Sequence, residues 1–140
     1  MTTRRMAELI RDQRPVIFAP DANVKDVCRR MRERGVGATL VVDGDGKLVG
    51  IFTGRDALYR VAAEGRDAAT TRLADVMTRR PESVPARMTA IEALRRMEDC
   101  GCRHLPIVEG GKVLGVVSRG DFRGFENARL DEETGIWETV

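Results

Sequence analysis

The sequence predicts an α/β (α+β) fold built from two pseudo-symmetric copies of one unit, and three observations predict it. The first is an internal repeat in the 140-residue chain: with Pro15 set on Pro81, Arg29-Arg30-Met31 falls on Arg95-Arg96-Met97 and Gly35 on Gly101, all 66 positions apart. One residue is lost in the turn, where Gly44-Asp45-Gly46-Lys47 faces Gly110-Gly111-Lys112. Gly50, Thr53 and Asp56 then fall on Gly115, Ser118 and Asp121 at a spacing of 65. The second is a helical stripe in each copy, Val24, Val27, Cys28 and Met31 matching Ala90, Ala93, Leu94 and Met97 at i, i+3, i+4, i+7. The third is a pair of β-branched, apolar runs around a glycine turn in each copy. Each unit has roughly 45 to 50 residues, too few to bury a good core alone, so the two are expected to share one body.

Each element has its local cause. Met6, Leu9 and Ile10 suggest a short leading helix, equivalent by position to Val76 and Met77 before the second copy. Asn23 and Thr89 are good N-caps, Thr89 with Glu92 spells a capping box, and Gly35 and Gly101 stand where a left-handed C-cap belongs. Thr39 to Val42 with Leu48 to Phe52, and Leu105 to Val108 with Val113 to Val117, read as hairpins. A further helix should follow Thr53, through Leu58, Val61 and Ala62, and another should follow Ser118, through Phe122 and Phe125. Gly65 to Thr71 reads as the link. The expected divisions are 7–65, 72–125 and an acidic segment 126–140, which carries five acids against Arg129 and the only tryptophan, Trp137, beside Ile136. That segment reads as surface chain with an apolar anchor.

Composition excludes several functions. Twenty-four basic against 22 acidic residues leave a formal charge of +2, which gives no electrostatic case for nucleic acid. No apolar stretch is long enough for a spanning helix, and Met1 to Met6 lacks the apolar segment of a secretory signal, so a cytoplasmic protein without membrane contact is expected. Three cysteines, an odd number, fit a reducing compartment with free thiols, and no structural disulfide is expected.

The most informative stretches are Gly50 to Asp56 and Gly115 to Asp121, each a strand followed by a hydroxyl residue and an acid three positions on. Two readings fit. Thr53/Asp56 and Ser118/Asp121 are capping boxes that satisfy backbone N–H groups at a helix start. Alternatively, the same N–H groups and hydroxyl hold a phosphate while the acid accepts from ribose hydroxyls. Competing chemistry is poorly supported. Cys100, Cys102 and His104 lack the ligand number and spacing of a zinc site. Gly115 is one residue too far from Ser118 for a nucleophile elbow, and the glycines near Lys47 and Lys112 match neither a P-loop nor a dinucleotide fingerprint. The arginines at 29, 30, 32 and 34 read as a solvated helix face.

Over about residues 7 to 125 the doubled pattern resembles the CBS domain pair, or Bateman module. The resemblance rests on Pro before an apolar strand, the helix ending in Met and Gly, Leu105-Pro106-Ile107-Val108, and the Gly-x-x-Thr/Ser-x-x-Asp ending of both copies. It implies β-α-β-β-α repeats packed sheet to sheet, with clefts between them for adenosine-containing ligands. By position, Asp56 and Asp121 would take the ribose, and Thr53 and Ser118 the phosphate. Ile17 and Val84 would pack on adenine, and Arg103 and His104 would add phosphate contacts that Gly37 and Ala38 in the first copy cannot. The expected function is a non-enzymatic sensor of AMP, ADP or ATP, with S-adenosylmethionine or NAD-type ligands also compatible, no other cofactor and no metal. It would form a homodimer and report its occupancy through a regulated partner protein or through that dimer. A structural dimerisation module without ligand, and an enzyme or redox protein using Cys100 and Cys102, are the alternatives.

Overall fold

Capping fixes where the two long helices begin and end. In the computed structural model, which describes residues 4–124 and Glu126, α2 (Val24–Arg34) starts at Asn23, whose side chain accepts from the Asp26 amide, and ends at Gly35 with φ of 64°. Its counterpart α4 (Ala90–Cys100) starts at Thr89, which accepts from the Glu92 amide, and ends at Gly101 with φ of 66°. A left-handed residue at this position costs a glycine nothing, so both ends are written in the sequence. The second box closes differently from the expected one: the Glu92 carboxylate takes the Thr89 hydroxyl at 2.8 Å, and the Thr89 amide is not its donor.

The remaining elements are α1 (Met6–Leu9), β1 (Ile17–Phe18), β2 (Ala38–Val42), β3 (Leu48–Thr53), α3 (Gly54–Asp56), β4 (Thr78–Arg79), β5 (His104–Glu109) and β6 (Lys112–Ser118). The helix expected after Thr53 forms as α3 running directly into a π-helical stretch, Ala57–Ala62. After Ser118 the described chain makes a 3-10 turn, Arg119–Asp121, and is α-helical at Gly124 and Glu126, so the expected helix begins later than Phe122. Phe125 and the segment around Trp137 lie outside the described residues. Among the described residues no helix is long and apolar enough to cross a membrane.

The chain divides into two units. One comprises residues 14–81 with 110–113 and holds a four-stranded sheet in the order β1-β2-β3-β4, parallel between β1 and β2 and antiparallel elsewhere. Its core joins Val24, Val27 and Met31 of α2 to Val41, Phe52 and Val61, and is completed by Leu73, Val76 and Met77. The other comprises residues 4–13, 82–109 and those described from 114 onward, with the β5-β6 pair. Met6 and Ile10 of the leading segment lie in its core with Val84, Leu94, Met97, Leu105, Ile107, Val117 and Phe122. The leading helix therefore fills the core of the second repeat, and the segment that follows the first repeat fills the core of the first. A unit this small gains apolar volume by taking in a short flanking segment.

The repeated glycine that opens each motif makes room for that flanking segment. A Cβ on Gly50 would meet Met77 Sδ at 2.5 Å, and one on Gly115 would meet Gln13 Oε1 at 2.6 Å and Ile10 Cβ at 2.9 Å. Gln13 lies along β6 like a short strand, its amide donating to Val116 O and accepting from Val116 N, both at 2.6 Å. Methionine can swing its tip away, but the branched Cβ of Ile10 and a doubly bonded amide cannot. Gly115→Ala is expected to cost about 1–3 kcal/mol of stability, and Gly50→Ala less, in denaturant titrations of both variants. Equal midpoints for the two would remove this reading of Gly115.

Candidate functional site

Strands β3 and β6 each end in a hydroxyl residue with extended backbone, Thr53 and Ser118, after which the chain turns sharply. In the first repeat, Asp56 Oδ2 accepts from the Thr53 amide at 2.9 Å and from its hydroxyl at 3.2 Å, and Thr53 Oγ1 accepts from the Asp56 amide at 3.3 Å. In the second, Asp121 Oδ2 accepts from the Ser118 amide at 2.7 Å and from its hydroxyl at 3.3 Å. The capping reading is thus realised in both copies. Each cap engages Oδ2, so the acid holds its turn with one oxygen of two.

The two turns differ in what surrounds the acid. Asp56 is buried, and its Oδ1 faces Arg60 Nε at 3.6 Å, one helical turn on. Arg60 is itself held by the Met77 carbonyl at 2.9 Å. Asp121 is exposed, and Arg4 reaches its backbone carbonyl at 3.1 Å. Arg4 also pairs with the fully buried Glu126, with Nε to Oε2 at 3.1 Å and an Nη to Oε1 at 2.7 Å. The Arg123 amide donates to Glu126 Oε1 at 2.7 Å. Burial works to raise the Glu126 carboxyl, but the bonds from Arg4 and the Arg123 amide outweigh it and hold the group below its ordinary value. Arg60 could have been found from its i+4 spacing to Asp56, whereas no local signal marks Arg4 with Glu126.

Arg103 and His104 lie beside the Ser118/Asp121 turn. The Arg103 carbonyl accepts from the Arg119 amide at 3.2 Å, which ties the start of β5 to the turn. Burial lowers the pKa of the half-buried His104; the Asp121 charge opposes the shift and Arg103 adds to it. Ile17 and Val84 are not equivalent. Phe18 pairs with Val41 and Val84 with Ile107, so the register sets Val84 on Phe18 and Ser83 on Ile17. Accordingly Ile17 is 42% exposed, while Val84 is 1% exposed and belongs to the core.

The cysteines depart from expectation. Cys100 and Cys102 are joined in a disulfide, because the left-handed Gly101 between them folds the chain back and brings their Cα atoms to 5.3 Å. Cys28 is free, and burial raises its thiol pKa.

The family model for the CBS domain matches the chain twice, over residues 7–63 and 73–126. The chain belongs to the CBS-domain family. The CBS domain-containing protein CBSCBSPB2 of Arabidopsis thaliana is 39% identical over 113 residues, covering 81% of this chain and 21% of that protein. The chain spans about a fifth of the length of this and the similar plant relatives. A solved structure of a putative signal-transduction protein with CBS domains, from Burkholderia ambifaria, is 32% identical with a TM-score of 0.75, covering 84% of this chain and 89% of that one. The CBS domain protein PAE2072 from Pyrobaculum aerophilum, complexed with AMP, shares the fold at 22% identity and a TM-score of 0.81, covering 91% and 98% of the two chains. The two matched stretches are the tandem CBS repeats that the doubled glycine, hydroxyl and acid pattern indicated.

Proposed function

We propose that this CBS pair is a non-catalytic regulatory module that binds an adenosine nucleotide at its strand-end turns. The observation that carries this reading is the same hydroxyl–acid box closed at the end of a strand in both repeats. In each, the cap occupies Oδ2 of the acid, so that Oδ1 of Asp121 can accept from ribose hydroxyls while Thr53 or Ser118 and the amides of the turn face phosphate. The AMP held by the similar PAE2072 supports an adenine nucleotide in particular. Exposed Ile17 offers an apolar face to the base, a role that buried Val84 does not share. The Ser118/Asp121 turn is the stronger phosphate binder, since only it has Arg103 and His104 beside it, His104 as a hydrogen-bond donor rather than a charge because burial lowers its pKa, and Asp56 is already shared with Arg60.

The module acts as a homodimer and passes its occupancy to a regulated protein. Leu58 and Tyr59, 57% and 59% exposed on consecutive positions of the π-helical stretch, are apolar side chains that a second copy can cover. A thermal-shift panel of AMP, ADP, ATP, S-adenosylmethionine and NAD, paired with sedimentation, tests the reading. A ligand at a hundred times its dissociation constant adds roughly 2.7 kcal/mol to the native state, so at least one adenine nucleotide should raise the midpoint by several degrees on a dimeric species. A flat response at millimolar ligand would leave the purely structural dimerisation reading in its place.

A further inference from the structure

The Cys100–Cys102 bond closes a small ring at the C-cap of α4, and two connections lead from that ring to the Ser118/Asp121 turn. Along the chain, Cys102 is followed by Arg103, whose carbonyl accepts the Arg119 amide at 3.2 Å. Across the surface, Glu98 in the last turn of α4 pairs with the Arg119 guanidinium at 3.6 Å. The cap itself ties the ring to the helix, through the Cys102 amide on the Met97 carbonyl at 3.0 Å and the Gly101 amide on the Glu98 carbonyl at 3.3 Å. Arg119 is the first residue after Ser118, so the turn that holds Asp121 hangs from both sides of the ring. Cys100 is exposed and Cys102 half-buried, within reach of a thiol or a disulfide in solution. The first repeat has Arg34 and Val36 at the matching positions, so only the second turn carries this ring.

We infer that Cys100 and Cys102 form a reversible dithiol–disulfide centre that sets the geometry of the Arg119 turn, and through it the affinity of the Ser118/Asp121 site. The chemistry is thiol–disulfide exchange with a small-molecule or protein disulfide. One cysteine thiolate attacks the external disulfide, breaking its S–S bond and releasing a thiol. The other cysteine then attacks the mixed disulfide, forming the Cys100–Cys102 bond and releasing the second thiol. Two electrons and two protons pass from the cysteines to the external disulfide, and a dithiol or two thiols reverse the step. In the oxidised form the ring fixes residues 100–102 and holds Arg103 against Arg119. In the reduced form the C-cap is held by its hydrogen bonds alone and the turn opens more often.

The ligand arm of this inference rests on the nucleotide reading above, and the redox arm does not. The full chain is equilibrated in glutathione buffers of graded ratio, free thiols are counted by alkylation and mass spectrometry, and amide exchange is followed at Arg119. The expected result is one two-electron transition from three free thiols to Cys28 alone, with the Arg119 amide exchanging faster in the reduced form and in a Cys100→Ser/Cys102→Ser variant. Three free thiols at every ratio, or identical Arg119 exchange in both forms, would overturn the centre. Calorimetry with ATP then reads the coupling: the oxidised form should bind about fivefold or more tightly at the site lost in Asp121→Asn. Equal ATP affinity in the two forms overturns the coupling. Absence of ATP binding in both, alongside the redox and exchange responses, counts against the nucleotide reading and upholds the centre.

Discussion

Arg4→Met is expected to cost about 3 kcal/mol or more of stability, the largest effect of any single charged substitution proposed for this protein. The Glu126 carboxylate is fully buried and both of its oxygens depend on Arg4. Removing the guanidinium leaves a desolvated charge whose remaining hydrogen-bond donor, among the described residues, is the Arg123 amide. The loss also frees the Asp121 carbonyl that Arg4 holds, so the damage extends to the turn of the second repeat. A double variant, Arg4→Met/Glu126→Met, separates the cost of an orphaned charge from the worth of the pair. It should recover most of the stability, because an apolar replacement of both partners leaves nothing unpaired. The pH dependence has a definite sign. The folded-state pKa of Glu126 is held below its unfolded value, so its contribution is full above the unfolded value of about 4.3 and is lost as pH falls through the lower folded one. Denaturant titrations at neutral and acid pH would show it, and Arg4→Met within about 0.5 kcal/mol of the parent at neutral pH would refute the clasp.

This pair also shows where sequence reasoning stops. Helices α2 and α4 were legible to within a residue because their determinants are local: Asn23 and Thr89 at one end, Gly35 and Gly101 at the other, and an apolar stripe between them. The hairpins were legible because strand and turn residues are neighbours in the chain. Short β1 was read less well. Its period of two means that a one-residue slip exchanges the faces, and setting Val84 beside Ile17 is such a slip: the 66-residue spacing of the repeat puts Val84 on Phe18, and the pairing of Val84 with Ile107 agrees. Which core the leading helix enters is a long-range matter, since Met6 and Ile10 are as apolar for one unit as for the other. Arg4 and Glu126 are 122 positions apart, and each looks like an ordinary surface charge. The acids at 56 and 121 stood out by repetition, but their unequal surroundings, Arg60 at one and Arg4 with His104 at the other, needed the fold.

That inequality sets the result expected at the second turn. Asp121→Asn should weaken nucleotide binding by about ten- to a hundredfold, corresponding to roughly 1.5 to 3 kcal/mol for a lost charged acceptor. The fold should barely respond. Asn retains a carbonyl oxygen where Oδ2 now takes the Ser118 amide and hydroxyl, and it is itself a good capping residue, so the stability cost should stay at about 1 kcal/mol or less. Asp56→Asn should affect affinity less, because Asp56 Oδ1 already faces Arg60 and the carboxylate is buried at its own cap. Calorimetry on the parent and both variants, with denaturant titrations alongside, separates a ligand contact from a cap. A stability loss without an affinity loss would make Asp121 a cap alone. Equal affinity in all three proteins would remove both acids from the site, and a larger loss from Asp56→Asn would make the first repeat the principal nucleotide site.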